Sequence, residues 1–298
     1  MEVYCSMNLV TSVNEHTSLI GTPQPFFRLV EFDCDQTADH ADSIGRIRKG
    51  QLTAIVVRGV YSADVMSNIA DRLERHDPAF LKTSFPEKFR SWFYGRNLSL
   101  MGTDPETYFK QAREFHAQMA ELFPAGLGIN EHLMRVLSSL DEGRPYRSAP
   151  GPESGQDYML TTFRGHAEGG YIPAHCDNEQ SVRPAYEHLS TLVSSHMYSM
   201  VLMIGAADEG GDLEVFDHRI EPSDVHEDQS SNTGANAGKI DLSQLSSAKI
   251  QLRPGDLVVV DSGRYLHRVT PVLGTKNRWV ACSFMAHSLD RNAVYCWG

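Results

Sequence analysis

The sequence predicts a mostly β fold, a sandwich or barrel of strands with flanking helices. From Tyr158 onward, short apolar runs alternate with turns that contain Gly, Pro and Asp, which is the pattern typical of such a fold. Before that point, apolar residues recur at helical spacing. The chain has 298 residues, of which 41% are hydrophobic, and this favours one domain with a large core.

The N-terminal half is predicted to supply a helical buttress, over about residues 53–145, on the outside of the strands. Residues 1–25 are polar and rich in Thr and Ser, so we expect a flexible terminus there. Thr53–Val60 is predicted to be a buried strand. The predicted helices run from a capping Ser62 to about Arg75, from about Pro105 to Leu122 and from about Asn130 to Leu140.

The strands are predicted to form a core over about residues 156–290. Within this core, residues 222–247 are rich in Ser, Asp, Asn and Gly and lack the alternation of a strand. We therefore expect residues 222–247 to be a mobile surface insertion, and a lid over the site is one role that such an insertion can have.

Two H-x-D pairs occur in the chain. The pair His226 and Asp228 lies inside the polar insertion and is expected to be solvated. The pair His175 and Asp177 instead closes a segment of strand character. Because alternate side chains of a strand share a face, His175 and Asp177 are predicted to point into the core and Cys176 away from it.

A further histidine follows on a neighbouring strand. The turn Arg253–Asp256 precedes a buried strand, Leu257–Val260, and the next strand contains His267. Two imidazoles and one carboxylate can hold ferrous iron on one face and leave the opposite positions open. His175, Asp177 and His267 are therefore the predicted metal ligands.

Basic residues on other predicted strands can bind an organic acid beside the metal. Arg278 opens the apolar run Trp279–Met285, where a buried charge needs a partner. Its planar guanidinium suits a carboxylate ligand, although an ion pair with an Asp at a strand end is an alternative. Thr162 and Arg164 alternate just before the H-x-D pair. They are predicted to reach a co-substrate or a substrate carboxylate, or else to be ordinary polar residues with local hydrogen bonds.

The remaining polar residues are weaker candidates. His166 and Tyr265 are predicted to lie near the site. A surface position or a hydrogen-bonded core position is predicted for four other histidines, namely His116, His132, His188 and His196. The five cysteines form neither a C-x-x-C pair nor the framework of a secreted disulfide protein.

On these residues the chain resembles the Fe(II)/2-oxoglutarate-dependent oxygenases. Within that superfamily it is most similar to the free-standing aliphatic halogenases that act on indole alkaloids, and to their hydroxylase relatives. Besides the order H-x-D, His and Arg, the likeness covers Thr162–Arg164, Glu209–Val215 and the run from Pro254 to Phe284. The resemblance implies a double-stranded β-helix core, of the jelly-roll or cupin-like type, in a single oxygenase domain over residues 26–298.

The resemblance also implies the cofactors, which are Fe(II), 2-oxoglutarate and O2. His175, Asp177 and His267 would hold the iron, and Arg278 would bind the far carboxylate of 2-oxoglutarate. The expected reaction hydroxylates an unactivated C–H bond and releases succinate and CO2. Hydroxylation is expected because the halogenases have a small residue where Asp177 stands, which leaves room for chloride. Many relatives also have a Ser where this chain has Val280.

The expected substrate is a small metabolite, either an amino acid derivative or an alkaloid-like natural product. The net charge of −11 disfavours a nucleic-acid partner. The chain shows neither a membrane-spanning run nor a signal-peptide pattern, so a cytoplasmic location is expected. The sequence carries no signal of oligomeric state.

Two other functions remain open at the level of sequence. A cupin-like hydrolase or isomerase could use the same three ligands with zinc. Alternatively, a non-catalytic binding module could be built on the same barrel. Release of succinate with ferrous iron and 2-oxoglutarate would distinguish the oxygenase from both.

Overall fold

Strands and helices of the predicted kinds are present in the computed structural model, which describes residues 18–22, 24–101, 104–180, 183–220 and 240–298. The helices of these ranges are α1 (Ser43–Arg48), α2 (Ala63–Glu74), α3 (Pro105–Leu122), α4 (Met134–Ser139) and α5 (Glu187–Ser190). The strands are β1 (Leu19–Ile20), β2 (Leu29–Asp33), β3 (Ala54–Arg58), β4 (Lys82–Ser84), β5 (Ser91–Tyr94), β6 (Tyr146–Ser148), β7 (Thr162–His166), β8 (Ile172–His175), β9 (Tyr198–Gly205), β10 (Glu209–Gly210), β11 (Leu213–Arg219), β12 (Ser247–Ile250), β13 (Leu257–Val260), β14 (Tyr265–Val269), β15 (Val272–Leu273), β16 (Arg278–His287) and β17 (Val294–Trp297).

Most strands belong to two sheets. The larger sheet has the order β2-β3-β13-β9-β16-β7-β5-β4, with β17 also paired to β16 and β6 paired to β17. The smaller sheet has the order β1-β12-β11-β14-β8. Neighbouring strands are antiparallel except for the pairs β2–β3 and β6–β17. The mostly β fold class predicted from the sequence is therefore confirmed.

Strand alternation gives the larger sheet two apolar faces. On the inner face, Val56 and Val258 pack with Val215 of the smaller sheet, so the two sheets enclose a core between them. On the outer face, Ile55 and Val259 belong to a second core together with the buried side of α2. The helices thus cover the outside of the larger sheet, and the space between the sheets is left for a site.

The predicted helices are confirmed with small shifts at their ends. Ser62 caps α2 by accepting a hydrogen bond from the backbone N–H of Val65 at 3.3 Å. The helix α3 has the predicted ends. The third helix begins with a π-turn over Ile129–Leu133 and continues as α4. None of the helices in the described ranges is long and apolar enough to cross a membrane.

Two ordered segments differ from the sequence expectation. Although residues 1–25 were predicted to be flexible, Leu19 pairs with Ile250 in the smaller sheet, and Ser18 donates two hydrogen bonds to Glu31. The first strand after Tyr158 begins only at Thr162, and residues 158–161 form an irregular segment whose apolar side chains are buried in the outer core.

The end of the predicted insertion is also ordered. Residues 240–247 contain a short 3-10 turn, Leu242–Gln244, and the start of β12. The rest of the insertion, residues 222–239, lies outside the described residues, and the pair His226 and Asp228 lies there too.

A buried ion-pair network joins the N-terminal helices to the larger sheet. Asp141, which is 1% exposed, forms ion pairs with Arg48 and Arg144 and accepts a hydrogen bond from the Tyr146 hydroxyl. Because Asp141→Asn would leave two arginines with a neutral partner, we expect it to lower the free energy of unfolding by about 3–5 kcal/mol. Urea denaturation measures this, with the exposed neighbour variant Glu142→Gln as the control. A loss below about 1 kcal/mol would contradict the assignment.

Candidate active site

The predicted metal ligands lie at one edge of the smaller sheet. His267 of β14 is directly opposite His175 of β8 in the strand register, and the two ring centroids are 4.3 Å apart. β8 ends at His175, so Asp177 is not on the strand as predicted but opens the 3-10 turn Asp177–Gln180. Its backbone N–H donates to the carbonyl of Ser262 at 2.9 Å. The side chain therefore reaches the histidines through a turn and not through strand alternation.

The three side chains bring their donor atoms together. Asp177 Oδ1 is 3.4 Å from His175 Nε2 and 3.9 Å from His267 Nε2. One ligand atom of each residue lies within 4.8 Å of the others. Donor atoms bound to one metal at right angles are about 3 Å apart, given metal–ligand distances of about 2.1 Å. Two imidazole nitrogens and one carboxylate oxygen at these separations fit a ferrous ion, with small side-chain rotations.

The backbone fixes which nitrogen of each imidazole faces the metal position. The Nδ1 atoms of His175 and His267 lie 2.8 Å and 3.0 Å from the carbonyl oxygens of Pro173 and Tyr265. A carbonyl oxygen only accepts, so each Nδ1 carries the proton and donates it. Both Nε2 atoms therefore face the metal position, and each would bind a metal through the lone pair that it has once deprotonated.

Charge and burial suit the same role. Burial opposes ionisation of Asp177, but its hydrogen bond with His175 and the nearby His267 hold the pKa of the carboxyl below its usual value. Burial, with His175 adding to it, lowers the pKa of His267 to about 4. At neutral pH the site thus offers an anionic carboxylate and a neutral imidazole. The side chain of His175 is 21% exposed, against 2% for Asp177, so the site opens on the His175 side.

Arg278 lies on the inner face of the larger sheet. In the β16–β7 register, Arg278 is opposite His166, and Val280 is opposite Arg164. Val280 packs in the core between the sheets, and Arg278, two residues before it on the same strand, shares its face. Arg278 is 3% exposed, and its Nε has no hydrogen-bond partner among the described residues. Burial lowers its pKa to about 10. A buried guanidinium with an unused donor fits an anionic ligand such as a carboxylate.

Gly211 makes room for this arginine. A Cβ atom on Gly211 would lie 2.7 Å from Cδ of Arg278, and the glycine has a φ of +68°. A larger residue would therefore be strained in its backbone and would also push the guanidinium out of its place.

Arg164 is the second buried cation of the inner face. Its Nε donates to Thr162 Oγ1 at 3.4 Å, and its Nη2 has no hydrogen-bond partner among the described residues. Its guanidinium carbon lies 5.0 Å from the ring centre of Phe93 and 5.5 Å from that of Phe284. Thr162 and Arg164 thus make one local hydrogen bond, as the simpler alternative predicted, while donors of Arg164 stay available to a ligand.

The family of the chain follows from comparison with known proteins. The family model described as carrier-protein-independent halogenase WelO5 matches residues 26–298. The chain belongs to this halogenase family. It is a Fe(II)/2-oxoglutarate oxygenase, and its cofactors are Fe(II), 2-oxoglutarate and O2. No curated protein gives a significant match to the chain.

Solved structures share the fold of this halogenase-family chain. An N-substituted L-amino acid dioxygenase from Burkholderia ambifaria AMMD is 17% identical with a TM-score of 0.54, over 87% of this chain and 91% of that one. The same dioxygenase in complex with alpha-KG gives 17% identity and a TM-score of 0.53 over the same shares. The likeness confirms the predicted double-stranded β-helix core.

The two weaker candidates, His166 and Tyr265, lie next to the site of this halogenase-family protein, and four other histidines lie away from it. Tyr265 packs in the core between the sheets. His166 is buried on the inner face, and burial, followed by the charges of Arg278 and Arg164, holds its pKa well below its usual value. The four histidines predicted to be structural are each hydrogen-bonded to a residue that is not a metal ligand. The partners are Leu160 for His116, Val60 for His132, Tyr158 for His188 and Asp261 for His196.

The sequence analysis missed a row of aromatic side chains next to Arg164. Phe93 of β5 is opposite Arg164 in the register, and its ring centre is 4.4 Å from that of Phe85. The run Ser91–Tyr94 contains three consecutive aromatic residues, which favours a strand, so a strand was predictable there. The pairing of this strand with β7 was not predictable, because β5 and β7 are far apart in the chain.

Proposed function

We propose that this protein hydroxylates an unactivated C–H bond of a small metabolite, with Fe(II), 2-oxoglutarate and O2, and does not halogenate it. The observation that supports this is the Asp177 carboxylate, whose Oδ1 lies 3.4 Å from His175 Nε2 and 3.9 Å from His267 Nε2. Aspartate completes a two-histidine, one-carboxylate ligand set of the kind that oxygenases use.

The carboxylate opposes halide binding in two ways. It occupies the position where the halogenases have a small residue, so no ligand position is left for chloride at that point. It also brings a negative charge, which disfavours a second anion in the same buried site. Burial alone would raise the pKa of Asp177, but His175 and His267 hold it below its usual value, so the carboxyl keeps its negative charge.

The residues divide into metal ligands and a co-substrate anchor. His175, Asp177 and His267 would hold the iron, with both histidines oriented by backbone carbonyls. Arg278 would bind the far carboxylate of 2-oxoglutarate and so fix its orientation. Bound iron and 2-oxoglutarate would supply the oxidation, in which one oxygen atom of O2 enters succinate and the other enters the product, with release of CO2. A zinc hydrolase would have no use for a buried arginine with a free donor.

The decisive variant is Asp177→Gly. It vacates the ligand position and removes the charge, so we expect hydroxylated product to fall by at least about 100-fold. In high chloride or azide, we expect traces of halogenated or azidated product. Mass spectrometry distinguishes the gain of one oxygen atom from the gain of chlorine or azide.

Asp177→Asn is the matched control. It removes the charge but fills nearly the same volume, so it should lose activity without gaining halogenation. Incorporation of chloride by the unmodified enzyme, or hydroxylation by Asp177→Gly at the original rate, would contradict the proposal. Turnover with zinc in place of iron would favour the hydrolase.

A further inference from the structure

Two arginines face the space between the sheets, although one is enough for the far carboxylate of 2-oxoglutarate. Arg164 and Arg278 lie on adjacent strands and on the same inner face. Arg164 is 9% and Arg278 is 3% exposed, and each has a side-chain nitrogen without a hydrogen-bond partner among the described residues. The unused donor of Arg164 is therefore a second buried site for an anion.

Among the metal, its carboxylate ligand, the two inner-face arginines and 2-oxoglutarate, positive charge exceeds negative charge. Ferrous iron and the two arginines bring four positive charges, whereas Asp177 and 2-oxoglutarate bring three negative ones. Asp212 interacts electrostatically with both Lys249 and Arg278, so its charge is shared between them, and Glu214 is paired with Arg268 at 2.7 Å. One positive charge remains in a buried site, where an uncompensated charge is costly.

The guanidinium of Arg164 lies between aromatic rings. Its central carbon is 5.0 Å from the ring centre of Phe93 and 5.5 Å from that of Phe284. Its Nη2 has no hydrogen-bond partner among the described residues, and a planar fork of donors matches a carboxylate. Burial lowers the pKa of His267, and the positive charge of Arg164 adds to this effect, so Arg164 is within electrostatic range of that ligand.

An aromatic row continues from Arg164 toward the start of β8. The ring centres of Phe93 and Phe85 are 4.4 Å apart, those of Phe85 and Phe89 are 6.3 Å apart, and those of Phe89 and Tyr171 are 5.4 Å apart. Tyr171 directly precedes β8, the strand that ends at His175. Phe85 and Tyr171 are partly exposed, so this row offers aromatic surface to a ligand.

We infer that the primary substrate is a carboxylic acid with an aromatic or bulky apolar body. Its carboxylate binds Arg164, and its body packs on the aromatic row formed by Phe85, Phe89, Phe93 and Tyr171. This inference rests on the proposed function, because it takes iron and 2-oxoglutarate as bound and gives the substrate carboxylate to Arg164, the arginine that 2-oxoglutarate does not use.

The test compares two probes of the same shape, 3-phenylpropionate and its neutral amide. Each is added without oxygen to the enzyme loaded with Fe(II) and 2-oxoglutarate, and binding is followed by the change in the visible charge-transfer absorption of that complex. We expect the acid to bind about 30- to 1,000-fold more tightly than the amide. Arg164→Gln should abolish this preference and change the Kd of 2-oxoglutarate by less than about threefold.

Further variants separate charge from packing. Arg164→Lys should keep part of the preference for the acid, and Phe85→Ala should weaken acid and amide equally, by about tenfold. Arg147→Gln is the matched control, because Arg147 also lies over an aromatic ring, that of Tyr295, but on the exposed surface.

Three results would overturn the inference. These are equal binding of acid and amide, binding of neither, or a loss of 2-oxoglutarate affinity in Arg164→Gln, which would assign this arginine to the co-substrate. Absence of the charge-transfer absorption in the unmodified protein would instead contradict the proposed function, so the two failures are distinguishable.

Discussion

His175→Ala and His267→Ala are each expected to abolish succinate release, by at least about 1,000-fold. Each variant removes one of three ligand atoms that lie within 4.8 Å of one another, and two remaining ligands hold ferrous iron too weakly. The fold should persist, because the strands β8 and β14 are joined by backbone hydrogen bonds that do not involve the imidazoles. Iron content after anaerobic loading and succinate formation measure the effect.

His188→Ala is the matched control for these variants. His188 is hydrogen-bonded to the Tyr158 hydroxyl at 3.0 Å and takes no part in the ligand cluster. It should keep its iron and its activity. Normal iron content and succinate release in either ligand variant would show that the metal is held elsewhere.

Arg278→Gln is expected to raise the Kd of 2-oxoglutarate by roughly 30- to several thousand-fold. Loss of a buried, charge-assisted pair costs about 2–5 kcal/mol of binding, and glutamine cannot replace either the charge or the fork of donors. Anaerobic titration of the iron-loaded protein with 2-oxoglutarate measures Kd without turnover, so a loss of catalysis is not mistaken for a loss of binding.

Iron content should be unchanged in Arg278→Gln, because Arg278 is on the larger sheet and two of the metal ligands are on the smaller one. The surface variant Arg147→Gln should leave the Kd unchanged. An equally unchanged Kd in Arg278→Gln would mean that another cation binds the co-substrate, and Arg164, on the next strand, would be the first to test.

Local sequence patterns predicted which residues form the site better than they predicted the backbone conformation around them. His175, Asp177 and His267 were recognised because ligand types at short spacing and strand periodicity are properties of neighbouring residues. The backbone at Asp177 was predicted wrongly, because an H-x-D pair fits a continuous strand and also fits a strand that ends at the histidine and is followed by a turn. The choice between them depends on the loop after β13, whose Ser262 carbonyl accepts the N–H of Asp177.

The N-terminal segment was predicted less well for a similar reason. Residues 1–25 are polar on average, yet Leu19 completes the edge of the smaller sheet, and Ser18 bonds to Glu31. A segment of low propensity can become ordered when a sheet edge offers it backbone partners. Composition alone does not contain that information.

The sequence by itself determined the mostly β class, the order of the metal ligands and the presence of a buried arginine, because these depend on residue type and short-range periodicity. Only the tertiary structure decided which residues meet across strands. It placed Arg164 beside Val280, with Phe93 on the other side of Arg164, and so put two cations on one inner face. Strand pairing between distant segments is set by the packing of both sheets, and neither segment specifies it alone.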